Sequence, residues 1–505
     1  MAASACHSHE TGSVLAGKTF HAGFLRHFDG WGMLHFNYSS AGDKRQKTPF
    51  QMSKALADRA LPMCVRHLLC ALLYSASAVH AERMSWLQND AIKLGVDLDL
   101  GGSITFLAST KDGANVINNY DLGRQVQLSF FSGPVPFEAR GQKPAEHWRH
   151  IGWNPIQAGD DFKNPGRVTT HENDGEKLHL TCLPMHWPLN NVPGDCAFDV
   201  WLELEGQVVK ARARLRNRRE DSTQYPARLQ ELPAVYANAR FHRVMSYQGA
   251  HPFTSEPATL TPKAHGMHPW SFWTGTEGWA ALLDENDRGL GLITPGRVHF
   301  TGGFAGKPGP NDPHGNSTGY LAGQGQEILD HDIEYEFRYE LVLGSLQDIR
   351  QRAAEWRPKG PPSWVFAADR QGWHYQHATD TGWPVKEHLH VRLEQDDPQL
   401  LSPHVFWKAD ESPFLIIDAA FHATQKQAVV MWQSHAQASF ANKAALNFPI
   451  QTDGEFHTYV IRLADSPEYR GGMIRLRLDP VSQGEPGAWM KLRSVRLARS
   501  SSFAD

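Results

Sequence analysis

Glu231 sits in the run ARLQELPAVYAN, with apolar Leu229, Leu232 and Val235 beside it and Pro233 just beyond. Burial among such neighbours raises a carboxyl's pKa toward the range where it can give or take a proton. Read structurally, the same residue is a carboxylate paired with Arg228 or Arg124. Asp121 follows Asn118-Asn119-Tyr120 and precedes Gly123-Arg124. It is either a second carboxylate or the cap of a turn. Asp160 and Asp161 close a Gly-containing loop and carry the same two readings. His186, between Met185 and Trp187, is a candidate acid or base. Tyr225, before Pro226, is a candidate base for an elimination. Two carboxylates suit glycoside hydrolysis, one acting as acid and the other as nucleophile or base. One acid and one base suffice for proton transfer at a sugar's anomeric centre.

Around these groups lie side chains suited to holding a polar ring. Trp153, Asn154 and Gln157 share the stretch GWNPIQAGD. An indole stacks on the apolar face of a sugar, and an amide both donates to and accepts from its hydroxyls. Asn119, Arg124 and Gln125 form a second polar block, in which Arg124 could fork onto a carboxylate or pair with Asp121 or Glu231. Trp187 and Trp273 are further stacking candidates, as is Trp270. The stretch HPWSFW (His268–Trp273) reads equally as an inner strand. No metal or cofactor is expected. His388 and His390 share one strand face without a third ligand nearby, and no phosphate-binding Gly loop is present.

These blocks must be carried by strands. Period-two alternation recurs in IKLGVDLDLGGSITFLA, KLHLTCLPM, FDVWLELEGQVVKARARLRN and YEFRYELVLG. In VVKARARLRN, Val209, Ala211, Ala213 and Leu215 face one side, and Lys210, Arg212, Arg214 and Arg216 the other. That basic face is a solvated sheet surface or a polyanion site, the former being the reading adopted. The best helix signal is Leu346–Pro358. KGPP (Lys359–Pro362) marks a linker, and a second β-rich unit follows. The expected fold is all-β: a large antiparallel sandwich over 84–357, a linker at 358–362, and a smaller sandwich over 363–500.

The chain has 505 residues, enough for two or three domains, and a formal net charge of −4. Such a charge gives no global basic field for nucleic acid. MCVRHLLCALLYSASAVHA (Met63–Ala81) has the basic start, short apolar run and small-residue end of a secretory signal peptide, cut after Ala81. Residues 1–62 then lie upstream of a start at Met63 or Met52, and the mature protein is secreted or periplasmic, without a membrane span. An internal buried helix is the alternative. Cys182 and Cys196 flank HWPLNNVPG and form either a loop-closing disulfide or two buried thiols.

WAALLDENDRGLGLITP (Trp279–Pro295), followed by YEFRYELVLGSLQDIR, resembles the closing strands of galactose-mutarotase-like supersandwich domains. GVDLDLGGSITFL, with NNYDLGRQVQ after it, is similar to their opening, where the sheet meets the sugar. DGEFHTYVIRLADSPEYRGGMIRLRLDPV (Asp453–Val481) resembles the jelly-roll modules attached to secreted carbohydrate enzymes. The resemblance implies a carbohydrate partner and a sugar site at one end of the large sandwich. Hydrolysis is the expected reaction, ahead of elimination, with Glu231 as acid or base and Asp121, His186 and Tyr225 in support. The alternative is a glycan-binding protein without catalysis, using the same surface.

Overall fold

The computed structural model describes residues 83–261 and 270–501. The upstream segment 1–62 and the signal pattern Met63–Ala81 lie outside the described residues. The chain is all-β, built from antiparallel sheets, with one regular α-helix among the described residues.

The first two sheets face one another. Strands Met84–Gln88, Ile92–Asp97, Ser103–Ser109, Val126–Ser129, Arg228–Asn238, Thr318–Glu327, His299–Ala305 and Trp270–Thr274 lie side by side in that order. The second sheet runs from Thr259–Leu260 through Arg243–Ser246, Trp279–Leu283, Arg288–Ile293, Glu334–Ser345, Val208–Asn217, Cys196–Glu205 and Lys177–Leu183 to Arg167–Asn173. Their inner faces interlock Leu94, Val126, Leu128, Val235, Phe300 and Leu321 with Phe198, Val200, Ala213, Leu215, Leu282 and Leu341. Close approach of the sheets requires glycine at two positions of the Thr318–Glu327 strand. A Cβ on Gly323 would lie 2.4 Å from Thr294, and one on Gly325 2.3 Å from the Arg297 guanidinium.

The alternation in Val208–Asn217 places Val209, Ala211, Ala213 and Leu215 in the core. Its basic face is neutralised by flanking strands: Arg214 and Arg216 pair with Asp199, and Arg212 with Glu336. That leaves little free charge for a polyanion. The helix Leu346–Ala354 starts in a capping box, with Ser345 and Asp348 each satisfying the other's backbone N–H. It ends before Pro358 through turns closed by Glu355 and Trp356 N–H. It lays Ile349 and Ala353 against Trp279, Ala281, Leu283 and Val342 on the back of the second sheet.

A second sandwich occupies Ser363–Ala498. One of its sheets contains Phe414–His422 and Trp489–Ala498, the other Gln427–Ser434 and Gly472–Asp479. Trp373, Phe366, Phe421, Trp432 and Leu476 fill its core. Buried polar groups join the two sandwiches. The Arg370 guanidinium donates to Asp380 and to Asp330, each at 2.7 Å, and Gln224 donates to both carboxylates. Arg370 and Asp380 hold each other charged in spite of burial, which works against both charged forms.

Candidate functional site

The strand Arg228–Asn238 would not by itself put Glu231 beside Ala234, because residues three apart point to opposite faces of a regular strand. A β-bulge corrects this. Glu231 pairs with Gln324 and Ala234 with Ala322, so Leu232 and Pro233 together oppose Gly323. Leu232 enters the core, while Glu231 and Ala234 share the outer face of the first sheet. Bulges commonly re-aim side chains beside sites in this way.

Register across the neighbouring strands sorts that outer face into rows. Ser129, Glu231 and Gln324 form one row. Phe300 pairs with Gly323, which extends the row to His299. The next row is Gln127, Ala234, Ala322, Thr301 and Phe272, mostly small at its centre. Beyond it stand Tyr236 and Tyr320, with Trp270 opposite Gly303. Tyr236 and Trp270 flank the Tyr320 ring at 4.8 and 4.9 Å between centroids. The face thus has an aromatic edge, a floor of small side chains and a polar edge. It is the arrangement a sugar needs: ring faces against indole and phenol, hydroxyls toward carboxyl and amide.

Glu231 is the acid of the polar edge. Burial raises its pKa, opposed by hydrogen bonds from Tyr320 and Ser129. The Tyr320 hydroxyl donates to Oε1 at 2.5 Å. Tyr320 is in turn held protonated by burial and by the Glu231 charge. Tyr236 is pushed up by burial first, then by Glu231, with Arg124 opposing and Asp121 adding. The Gln125 carbonyl, next to Arg124, accepts from the Tyr236 N–H at 3.1 Å, which brings the Asp121–Arg124 turn to the same strand. Arg124 lies 3.3 Å from Asp121, over the Tyr120 ring, and donates to the Asn316 carbonyl and side chain. Burial raises the Asp121 pKa, outweighing Arg124 and the Gly123 N–H, which lower it. Gln324, buried between Glu231 and His299, makes no side-chain hydrogen bond among the described residues.

Other expected site residues stand elsewhere. Trp153 is fully buried, and its indole N–H donates to Asp195 at 2.7 Å. Asn154 donates to the Phe130 carbonyl. Gln157 bonds the Leu128 N–H and the Gly101 carbonyl. The binding expectation for this block therefore fails: its amides complete the hydrogen bonding of a sheet edge where the Pro155–Ile156 strand is too short to do so. His186 is packed between Phe137 and Trp153, 3.6 Å from Asp195, and buried away from the outer face. Tyr225 donates to Asp221 at 2.5 Å, and burial, with that carboxylate adding to it, raises its pKa, away from a basic role. Trp273 points inward and stacks on Phe300. Asn119 donates to the Thr105 carbonyl and Gln125 to the Asp121 carbonyl, and each keeps a buried amide oxygen without a partner among the described residues. Trp187 is half-buried against Trp148, beside Gly123, at the rim of the Asp121 turn. Asp160 caps its own loop through the Phe162 and Asn164 N–H groups. Cys182 and Cys196 are buried free thiols, not a disulfide.

Tyr236, Tyr320, Gln324 and His299 were not singled out from sequence. The readable signal is the alternation in TGYLAGQGQE (Thr318–Glu327), which sets Tyr320, Ala322, Gln324 and Gln326 on one face. A separate cleft of about 730 Å³ lies on the back of the second sheet, around Trp201 stacked between His179 and Arg212. Its Lys210, Arg352 and Glu340 are bound in ion pairs, so it offers poorer acid–base chemistry than the Glu231 face.

No family model and no curated protein matches the chain. Among solved structures, a putative aldose 1-epimerase from Escherichia coli K12 is similar at 12% identity over 53% of this chain and 100% of its own, with a TM-score of 0.35. A galactose mutarotase-like protein from Lactobacillus casei is similar at 12% identity over 52% of this chain and 99% of its own, TM-score 0.33. A 4-alpha-glucanotransferase from Thermococcus litoralis is similar at 12% identity over 53% of this chain and 38% of its own, TM-score 0.31.

Proposed function

We propose that this chain is a carbohydrate-active enzyme that binds a poly- or oligosaccharide across the outer face of the first sheet and hydrolyses it. Glu231 serves as the general acid and Asp121 as the second carboxylate. The observation that carries this reading is the buried carboxyl of Glu231 on the outer face, hydrogen-bonded by Tyr320 and bordered by the Tyr236 and Trp270 rings. Glu231 is buried with only hydroxyl donors, which favours the protonated form. Burial raises the pKa of Asp121 as well, against the Arg124 guanidinium at 3.3 Å and the Gly123 N–H, which favour its charged form. A carboxyl held toward its protonated form is what acid-assisted glycoside cleavage requires of its general acid. Tyr320 orients Glu231, and Tyr236 with Trp270 supports the sugar ring. Elimination is the weaker reading, because the phenols nearest Glu231 are shifted up by burial, away from a basic role. Secretion belongs to the same proposal and rests on the Met63–Ala81 pattern alone.

The test is a polysaccharide panel read for new reducing ends and for the absorbance of an unsaturated uronate, with wild type and Glu231→Gln in parallel. Reducing ends without that absorbance, lost in the variant, support hydrolysis. Unsaturated product would replace hydrolysis with elimination. Saturable binding with neither signal would make the chain a glycan-binding protein.

A further inference from the structure

The polar row of the first sheet does not end at Glu231. It continues through Gln324 to His299, and the second sandwich closes over that end with His404 and Arg475. The His299 and His404 rings lie 4.5 Å apart between centroids. Arg475, on the Gly472–Asp479 strand, reaches the outer face of the first sheet at Gln326, whose Oε1 is 3.4 Å from Nη2.

Most interior arginines are paired with a carboxylate, while Arg219 and Arg228 are saturated by backbone carbonyls. Arg297 has Glu327, Arg350 has Glu277, Arg352 has Glu340 and Arg370 has Asp330 and Asp380. Arg475 has no carboxylate partner among the described residues. Its Nε donates to the Ser402 carbonyl, and Nη2 donates to His374 Nε2 at 2.7 Å. Because that nitrogen accepts, the His374 proton sits on Nδ1, beside the Gly372 carbonyl. His374 is thus a neutral brace that aims the guanidinium. Burial alone brings Arg475 down to about 10, an uncompensated charge. Burial, with Arg475 adding to it, takes His299 down to about 4 and His374 to about 3. His404 falls too, by burial first, then His299 and Arg475. The seam therefore holds one fixed cation among neutral imidazoles. His299 Nδ1 is buried there without a hydrogen-bond partner. A buried charge lacking its counterion and an orphaned ring nitrogen are costly unless something fills them.

We propose that this seam is a subsite for an anionic sugar substituent, a carboxylate or a sulfate ester, held by Arg475 with His299 and His404. The inference rests on the reading of the Glu231 face as a sugar site, and it assigns that site an acidic glycan. Glu231 and His299 are separated by two strand spacings, roughly 10 Å. The charged group therefore belongs to a sugar residue next to the one that reacts. A planar guanidinium suits either oxyanion.

The full chain is titrated calorimetrically with polygalacturonate, its carboxyl-reduced form, dextran sulfate and dextran. The expected result is binding of one charged polymer about tenfold or more tighter than its uncharged counterpart. Preference for polygalacturonate identifies a carboxylate, and preference for dextran sulfate a sulfate. Arg475→Gln should abolish the preference, and Arg475→Lys should keep part of it. His404→Asn, outside the hydrogen bonds that brace Arg475, should weaken it severalfold and serves if Arg475→Gln does not fold. Equal affinity for charged and uncharged polymers overturns the inference, as does a preference untouched in Arg475→Gln or, where that variant fails to fold, in His404→Asn. If Glu231-dependent cleavage of an uncharged glycan persists without a charge preference, the sugar site stands and this subsite falls. Failure of all four polymers to bind removes both.

Discussion

Two stretches of this chain look alike in composition and do opposite things. GWNPIQAGD offers an indole and two amides, and every one of them is turned inward to satisfy buried backbone or the half-exposed Asp195 carboxylate. The outer row of the first sheet offers a carboxyl, an amide and aromatic rings from separate strands, and leaves them facing out. The difference lies in what the local backbone demands. A two-residue strand leaves peptide groups unpaired, and side-chain amides are recruited to them. The long strand Arg228–Asn238, paired on both sides, turns Gln230 and Asn238 to backbone groups and sets Glu231 on the outer face with Gln324 opposite it.

Substitutions on each side of this comparison should separate function from stability. Glu231→Gln should lower turnover about 10²–10⁴-fold with little loss of stability, measured as initial rates beside a denaturation curve. A similar rate in the variant would remove Glu231 from the chemistry. Trp153→Ala should do the reverse and cost about 3–5 kcal/mol by urea unfolding. If it instead weakened glycan affinity without destabilising the fold, the inward assignment of that block would be wrong. Trp270→Ala should weaken glycan binding about tenfold, on the order of 1.4 kcal/mol, with unfolding almost unchanged.

The smallest effect is a pH shift. A general acid works while protonated, so raising the pKa of Glu231 carries activity to higher pH, and activity falls as pH rises through the folded value. The unfolded carboxyl titrates near 4.5, below the folded one. Between the two values the folded state binds more protons, so the contribution of Glu231 to stability also declines as pH rises. Glu231→Gln should flatten that part of a stability-versus-pH curve. An unchanged slope would show that other groups produce it.

The all-β class and the strand faces were legible because period-two alternation survives wherever one face of a sheet is buried. Val208–Asn217 follows it residue by residue. The burial of Glu231 was legible because apolar neighbours within a few residues signal a buried carboxyl. Its partners were not, since Tyr320 and Gln324 arrive from a strand far along the chain and only register brings them opposite. The bulge at Leu232–Pro233 was likewise hidden, although without it Glu231 and Ala234 would face opposite ways. Trp153, Asn154 and Gln157 misled because composition does not reveal whether an amide is already claimed by backbone. His186 misled for a related reason, its ring being packing material between Phe137 and Trp153.

The central claim is that Glu231 is a proton-bearing carboxyl in contact with the sugar. Carbon-13 NMR of the glutamate carboxyls, with Glu231 assigned by its absence in Glu231→Gln, tests both halves at once. The account predicts a resonance that titrates above 4.5 and moves when a bound oligosaccharide is added. A resonance that titrates at or below the ordinary value and ignores a bound sugar would contradict it.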